Sequence, residues 1–307
     1  MRQTLPSESL QAIPLRFQGL IGHTPLAKLQ QLINRDDVEV YAKLEGTNLG
    51  GSVKDRAALA MIQAAEDAGV FEDRGALIEA TSGNTGIALA MIASLKGVPI
   101  TLVMPSSSTA ERVAVLKAYG AEVILVEGGM EAAIDLAKEK HSAGTHFMIN
   151  QFANPANPKM HYQTTGPEVF EMTEGRVTHF VSAMGTTGTI MGTSRFLKER
   201  RPSIKVIGVQ PSGDSKIPGI RRWPEAYLPK IYEPDRVDQI LEVSATQAME
   251  HARLLTRQEG LFCGPSSGGA CWAALEVARH APSGSVIVFI VCDRGDKYLS
   301  MDGLFDG

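Results

Sequence analysis

Residues 76–90 read Ala76-Leu77-Ile78-Glu79-Ala80-Thr81-Ser82-Gly83-Asn84-Thr85-Gly86-Ile87-Ala88-Leu89-Ala90. A short apolar run meets a cluster of small polar residues and glycines, and an Ala-rich apolar stretch then continues to Lys96. The lengths predict a strand over Ala76–Ala80, a tight turn, and a helix over Asn84–Lys96. The same alternation extends in both directions. Upstream, Val38–Leu44 reads as a strand and Lys54–Ala68 as a helix. Downstream, Ile100–Met104, Glu122–Val126 and His146–Ile149 read as strands, with helices at Thr109–Tyr119 and Met130–His141 between them. Connections this short between alternating strands and helices predict a parallel sheet covered by helices on both faces.

The cluster Asn154-Pro155-Ala156-Asn157-Pro158 interrupts the series. It resumes with strands at His179–Ala183, Lys205–Val209 and Val286–Val291 and helices at Ile190–Glu199, Ala245–Glu259 and Ser267–Arg279. The chain therefore reads as two α/β units meeting near residue 150. Ser212–Pro234, rich in Gly, Pro and Arg without a period, reads as a long functional loop. Ligands of such folds bind at the carboxyl ends of strands, often where two domains face each other.

The 307 residues, 44% hydrophobic and 21% charged, suit a globular protein with a sizeable core. A formal net charge of −4 disfavours nucleic-acid or membrane-surface roles and leaves small-molecule chemistry. Cys263, Cys271 and Cys292 are too few and too irregular for a disulfide framework and predict buried, reduced thiols. Met1–Gln11 has one early Arg and no apolar run, so no signal peptide is expected. No stretch approaches the ~20 apolar residues of a membrane span. The expectation is a soluble, cytoplasmic protein. The seven histidines lie singly, so no metal is expected.

Four glycine-rich turns sit where strands give way to helices. Gly185-Thr186-Thr187-Gly188-Thr189 opens a helix, and its unpaired N–H groups, helix dipole and threonine hydroxyls suit a phosphate; the alternative is a plain capped turn. Thr81-Ser82-Gly83-Asn84-Thr85-Gly86 suits a small carboxylate and a ring oxygen, or is an N-cap cluster. Gly264-Pro265-Ser266-Ser267-Gly268 matches the G-x-S-x-G nucleophile elbow formally. Only His280 follows it, however, with no aspartate between and Glu276 on the same helix, so a hydrolase triad does not assemble. In Gly50-Gly51-Ser52-Val53-Lys54-Asp55-Arg56 a lysine begins an Ala-rich helix against the dipole preference. That placement favours the neutral amine needed for Schiff-base chemistry; otherwise Lys54 is a solvated residue paired with Asp55 or Glu45. No dinucleotide fingerprint, Walker loop, H-E-x-x-H or kinase signature accompanies these turns. A phosphate site, a candidate amine nucleophile and no nucleotide motif point to a phosphorylated aldehyde, pyridoxal 5'-phosphate (PLP).

In this order the strings resemble the fold-type II PLP-dependent enzymes (tryptophan synthase beta-like), and within them the O-acetylserine sulfhydrylases of the bacterial cysteine synthase B branch. The resemblance runs from Ile21-Gly22-His23-Thr24-Pro25-Leu26 through Lys43-Leu44-Glu45-Gly46, the four turns above and Gln151-Phe152. It ends in Cys292-Asp293-Arg294-Gly295-Asp296-Lys297-Tyr298. It implies two three-layer αβα domains with mostly parallel sheets: a smaller, mobile unit over 46–153 carrying the Thr81–Gly86 loop, and a larger one from 12–45 plus 154–307. It implies that Lys54 carries PLP and takes the α-proton, that Asn84 bonds the ring oxygen, that Gly185, Thr186, Thr187, Gly188 and Thr189 cup the phosphate, and that Ser266 faces the pyridine nitrogen. Thr81, Ser82, Gly83, Thr85 and Gln151 would hold the substrate carboxylate.

The implied reaction is β-replacement on O-acetyl-L-serine through an α-aminoacrylate, giving L-cysteine from sulfide or S-sulfocysteine from thiosulfate, in a homodimer. Arg221, in Gly219-Ile220-Arg221-Arg222-Trp223-Pro224, is the residue expected to meet an anionic sulfur donor; otherwise it belongs to a structural loop with arginines paired to Glu225 or Asp235. Cys292 is expected to be a core thiol at a strand end. A serine or threonine dehydratase and a catalytically silent PLP-binding scaffold are the alternatives. Cystathionine β-synthase is disfavoured because no haem or regulatory domain fits the length.

Overall fold

The computed structural model describes residues 17–71, 75–81 and 83–305. The chain is α/β, with two mostly parallel sheets. Strands β1 (Leu26–Lys28), β2 (Glu39–Leu44), β7 (His179–Ala183), β8 (Lys205–Pro211), β9 (Gln239–Val243) and β10 (Val286–Val291) form a six-stranded sheet in the order β1-β2-β10-β7-β8-β9. Only the β1–β2 pair is antiparallel. Strands β3 (Leu77–Ala80), β4 (Ile100–Pro105), β5 (Glu122–Val126) and β6 (Phe147–Met148) form an all-parallel second sheet, β5-β4-β3-β6.

The helices are α1 (Lys54–Asp67), α2 (Asn84–Lys96), α3 (Ala110–Ala118), α4 (Gly129–Ser142), α5 (Ala156–Gln163), α6 (Thr165–Met172), α7 (Gly188–Arg200), α8 (Ala245–Glu259) and α9 (Pro265–His280). The central strands β3, β4 and β10 are buried along their whole length, as strands covered on both faces must be. Helix α2 is buried continuously from Thr85 to Ala93, which explains why its sequence is apolar on every face.

Glycines set the tightest helix crossings. A Cβ at Gly268 of α9 would overlap the Ala248 carbonyl oxygen of α8, and one at Gly192 of α7 would overlap that of Pro158 in α5. Backbones approach this closely only where no side chain intervenes.

The structure adds elements that the pattern did not reveal. Strands β1 and β9 lie at the two edges of the larger sheet. The Asn154–Pro158 cluster is a turn that runs straight into a helix: the Asn154 side chain accepts from the Ala156 N–H at 3.0 Å, and α5 begins there. The remaining predicted strands and helices are present, with ends shifted by one or two residues. Ser212–Pro234 contains only a single short 3₁₀ turn, Glu225–Tyr227, before the next begins at Pro234.

Candidate active site

The carboxyl ends of β3, β7 and β10 face one cavity of about 660 Å³. Lys54, at the first position of α1, lines it, as do Thr81, Gly83, Asn84 and Thr85 from the β3–α2 turn, and Gly185, Thr186 and Thr189 from the β7–α7 turn. Gln151, Ser266, Arg221 and Cys292 complete the part relevant to the sequence reading. Thr187 and Gly188 are not among the lining residues. Ser82 lies outside the described residues.

Lys54 is held by the backbone before it. The Val53 N–H donates to the Cys292 carbonyl at 2.8 Å, and the Lys54 N–H to Ser52 Oγ at 3.2 Å. The two carboxylates that could have paired with its amine point elsewhere. Asp55 accepts the Gly50 N–H at 2.5 Å, and burial pushes its carboxyl up to about 6. Glu45 is gripped by Arg56, with Nε at 2.7 Å and Nη2 at 2.8 Å. Arg56 also holds Glu168, and Lys43 Nζ reaches Glu168 Oε2 at 2.6 Å. Two cations and two carboxylates thus balance inside the protein, where neither sign would be tolerated alone. They join β2, α1 and α6 directly behind the lysine.

The β7–α7 turn has the form of an anion cradle. Thr187 adopts the left-handed region, φ 71°, and its buried hydroxyl has no partner among the described residues. The Gly188, Thr189 and Ile190 N–H groups open α7, where no intrahelical acceptor exists for them. Gly185 must be glycine, since a Cβ there would stand 2.8 Å from the Gly219 carbonyl oxygen. Gly188 must be glycine because its Cβ would overlap the Asn157 carboxamide. Trp223 Nε1 donates to the Gly185 carbonyl at 2.8 Å, fastening the long loop to the cradle. His161 contacts Thr165 Oγ1 at 2.9 Å and Thr189 Oγ1 at 3.3 Å, and burial, with Arg56 nearby, pushes it down to about 3. It is a neutral link behind the cradle.

In the β3–α2 turn, Thr81 Oγ1 accepts the Gly86 N–H at 3.0 Å and the Gly83 N–H at 3.3 Å, which leaves its own hydrogen to donate. Gly86 is close-packed beneath it: a Cβ would stand 2.6 Å from Thr81 Cγ2. Thr85 Oγ1 donates to Gln151 Oε1 at 2.9 Å, and Gln151 Nε2 donates to the Ala80 carbonyl at 2.8 Å. The Gln151 amide is therefore engaged with the turn itself. Beneath the turn Glu79 is fully buried and accepts the Gln151 N–H at 3.2 Å; burial without a cation pushes its carboxyl up to about 7.

At the mouth, Arg112, Lys216, Arg221 and Arg222 share the rim with Glu131. The pairings with Glu225 or Asp235 that a purely structural loop would offer its arginines are not the ones made by Arg222, whose partner is Glu242. Arg221 is half-buried, with Glu131 and Arg112 as its charged neighbours. Cys263 and Cys271 are buried as expected, but Cys292 is half-buried at the cavity wall rather than in the core, and desolvation there pushes its thiol up to about 11 despite the neighbouring Lys54.

A cavity with an amine on its floor, a phosphate-sized cradle on one wall and hydroxyl donors on the other fits PLP. The model of the family described as "Pyridoxal-phosphate dependent enzyme" matches residues 17–293. The chain is 54% identical over 288 residues to cysteine synthase B of Pseudomonas aeruginosa, covering 93% of this chain and 96% of that one. It is 55% identical over 286 residues to cysteine synthase B of Escherichia coli, covering 92% and 94%. Among solved structures, a cysteine synthase from Entamoeba histolytica superposes with a TM-score of 0.89 at 36% identity, covering 99% of this chain and 94% of that one. The chain belongs to the pyridoxal-phosphate dependent enzymes, and PLP is its cofactor.

Several participants carry no sequence signal of their own. Glu79, Asn157 and His161 support the site from behind, and Asp293 and Lys297 belong to the tail string that carried the resemblance without an assigned role. Among the described residues, no helix is long and apolar enough to cross a membrane.

Proposed function

We propose that this protein makes L-cysteine by β-replacement, exchanging the acetate of O-acetyl-L-serine for a sulfur nucleophile. The observation that carries the reading is the convergence of Lys54, Asn84, Ser266, the β3–α2 turn and the β7–α7 cradle on one cavity. Bound PLP supplies an electron sink that makes the substrate's α-proton removable and its β-substituent a leaving group. Lys54 Nζ would hold the cofactor, and its amine, when free, would take the substrate's α-proton. A positioned base of this kind contributes roughly 10²–10⁴-fold.

The Thr81 hydroxyl, whose hydrogen is free, receives the substrate carboxylate with Ser82, Gly83 and the orphan N–H groups that open α2, among them the backbone N–H of Thr85, whose own hydroxyl hydrogen is spent on Gln151. Gln151 fixes Thr85 for that task. Gly185, Thr186, Thr187, Gly188 and Thr189 hold the phosphate, and Asn84 Nδ2 donates to the ring oxygen. Ser266 meets the pyridine nitrogen with a hydroxyl, which does not enforce protonation there as a carboxylate would and so suits elimination over transamination.

The two sheets support a division into 46–153 and 12–45 plus 154–307, the smaller unit closing over the substrate; residues 12–16 of that division lie outside the described residues. The same reading has the enzyme act as a homodimer in the cytoplasm. The arginine-bearing rim supports a second sulfur donor, thiosulfate, with Arg221 binding its oxygens in fork geometry. Incubation of the PLP-loaded enzyme with O-acetyl-L-serine and sulfide tests the proposal: cysteine supports it, whereas pyruvate from serine without cysteine favours a dehydratase. With thiosulfate, S-sulfocysteine is expected, and Arg221→Met should raise KM for thiosulfate more than for sulfide.

A further inference from the structure

Asn84 is the one carboxamide at the start of α2, and a donor and an acceptor address its two ends. Lys297 Nζ donates to Asn84 Oδ1 at 3.0 Å. Asn84 Nδ2 donates to Asp293 Oδ2 at 2.6 Å. Turning the amide over would set NH₂ against an ammonium and C=O against a carboxylate, two repulsive contacts in place of two attractive ones. The orientation is thereby determined, and one hydrogen on Nδ2 remains for a partner in the cavity that Asn84 lines.

Lys297 does more than meet one oxygen. Its other donations go to the carbonyls of Gly50, at 2.9 Å, and Gly51, at 3.2 Å. All three ammonium hydrogens are thus used, one on Asn84 and two on the turn that leads into Lys54. Gly51 is itself in the left-handed region, φ 77°, and places its carbonyl toward the amine. Asp293 is in turn fixed by Tyr298, whose hydroxyl donates to the same Oδ2 at 2.6 Å. Asp293, Lys297 and Tyr298 all come from the segment after β10, which belongs to the larger sheet. Asn84 opens α2, which follows β3 of the smaller sheet, and the Gly50–Gly51 turn leads into α1.

We propose that Lys297 is a positioning residue that sets the Asn84 amide and the Lys54 turn at fixed spacing, so that a hydrogen-bond donor rather than an acceptor faces the cofactor's ring oxygen. The proposal rests on the reading of Asn84 given above and deepens it. Lys297 touches neither substrate nor cofactor in this arrangement and acts through Asn84 and the Gly50–Gly51 backbone.

The test compares Lys297→Met, Lys297→Arg and Asn84→Ala with the wild type, each reconstituted with PLP and no substrate. The readouts are the visible absorbance spectrum of the bound cofactor and the PLP Kd by titration. Lys297→Met is expected to shift the spectrum in the same direction as Asn84→Ala and to weaken PLP binding about tenfold or more, the scale of one charge-assisted hydrogen bond. Lys297→Arg, which keeps a cationic donor, is expected to restore the wild-type spectrum. If Lys297→Met does not fold, Lys297→Leu, which likewise removes every donor, gives the same readout.

A wild-type spectrum in the Met or Leu variant, with Asn84→Ala shifted, overturns the role of Lys297 alone. A wild-type spectrum and Kd in Asn84→Ala overturns the role of Asn84, and this proposal with it.

Discussion

Arg56 and Glu168, 112 residues apart in sequence, meet in a two-bond fork: Nη1 to Oε1 and Nη2 to Oε2, both 2.7 Å. Arg56 stands two positions after the lysine that the chemistry needs, and Glu168 belongs to α6 on the other side of α1's base. Burial by itself would raise the Glu168 carboxyl, but the Arg56 fork and Lys43 outweigh it and hold the group at about 2. The fork fixes the angle at which α1 presents Lys54.

Removing one partner from such a buried set leaves an uncompensated charge. Arg56→Met is expected to cost roughly 3–5 kcal/mol in urea unfolding. PLP binding should weaken in parallel, because α1 loses its anchor. An Arg56→Met protein with wild-type stability and wild-type PLP affinity would remove the cluster from the account.

Glu79 gives a pH dependence of the opposite kind. Its folded value of about 7 lies above the ordinary 4.5, so between those values the folded protein keeps a proton that the unfolded chain has released. The stability that Glu79 contributes is therefore fully present below about 4.5 and is lost as pH rises through about 7, roughly 3 kcal/mol at most. Asp55, pushed up to about 6, adds to the same fall, so the wild type is best compared with Glu79→Gln. Urea unfolding at intervals from pH 5 to 8 should give a steeper decline in the wild type than in the variant; equal slopes would contradict the assignment.

The two glycines of α7 should separate fold from site. Gly192 packs under the Pro158 carbonyl at the α5–α7 crossing, so Gly192→Ala is expected to cost roughly 1–3 kcal/mol of stability. Gly188 packs against Asn157, whose Nδ2 donates to the Gln151 carbonyl at 2.9 Å and to Thr186 Oγ1 at 3.4 Å. Gly188→Ala should displace that carboxamide and weaken PLP binding at least about tenfold, the scale of one lost phosphate contact. Thermal melts with and without PLP distinguish the two outcomes.

The thiols are expected to be unreactive in the native enzyme. Burial raises all three: Cys292 to about 11, and Cys263 and Cys271 well above their ordinary range. Iodoacetamide at pH 8 should leave the folded protein unlabelled and modify it only after denaturation. Rapid labelling of Cys292 in the native state would give that residue a chemical role that the structure does not.

The sequence carried most of the fold because the central strands are buried on both faces and read as unbroken apolar runs, β10 most plainly. It missed β9 because Gln239–Val243 lies at a sheet edge with mostly exposed positions, and β1 because three residues hold no period. Helices α5 and α6 were hidden by Pro155, at the N-cap of α5, and by Pro158 and Pro167 in first turns, positions where the missing N–H matters least. The candidate lysine, amide, cradle and serine were legible because each sits in a glycine-rich turn that opens a helix. The groups that orient them were not: Arg56 with Glu168, and Asn84 with Asp293 and Lys297, are pairings across 112, 209 and 213 residues that no local pattern encodes.

The most direct measurement is borohydride reduction of the PLP-loaded enzyme followed by peptide mapping. The account predicts a single phosphopyridoxyl group, on Lys54 Nζ, and no stable attachment in Lys54→Ala. Modification at another lysine, or a Lys54→Ala enzyme that still fixes the cofactor and turns over, would contradict it.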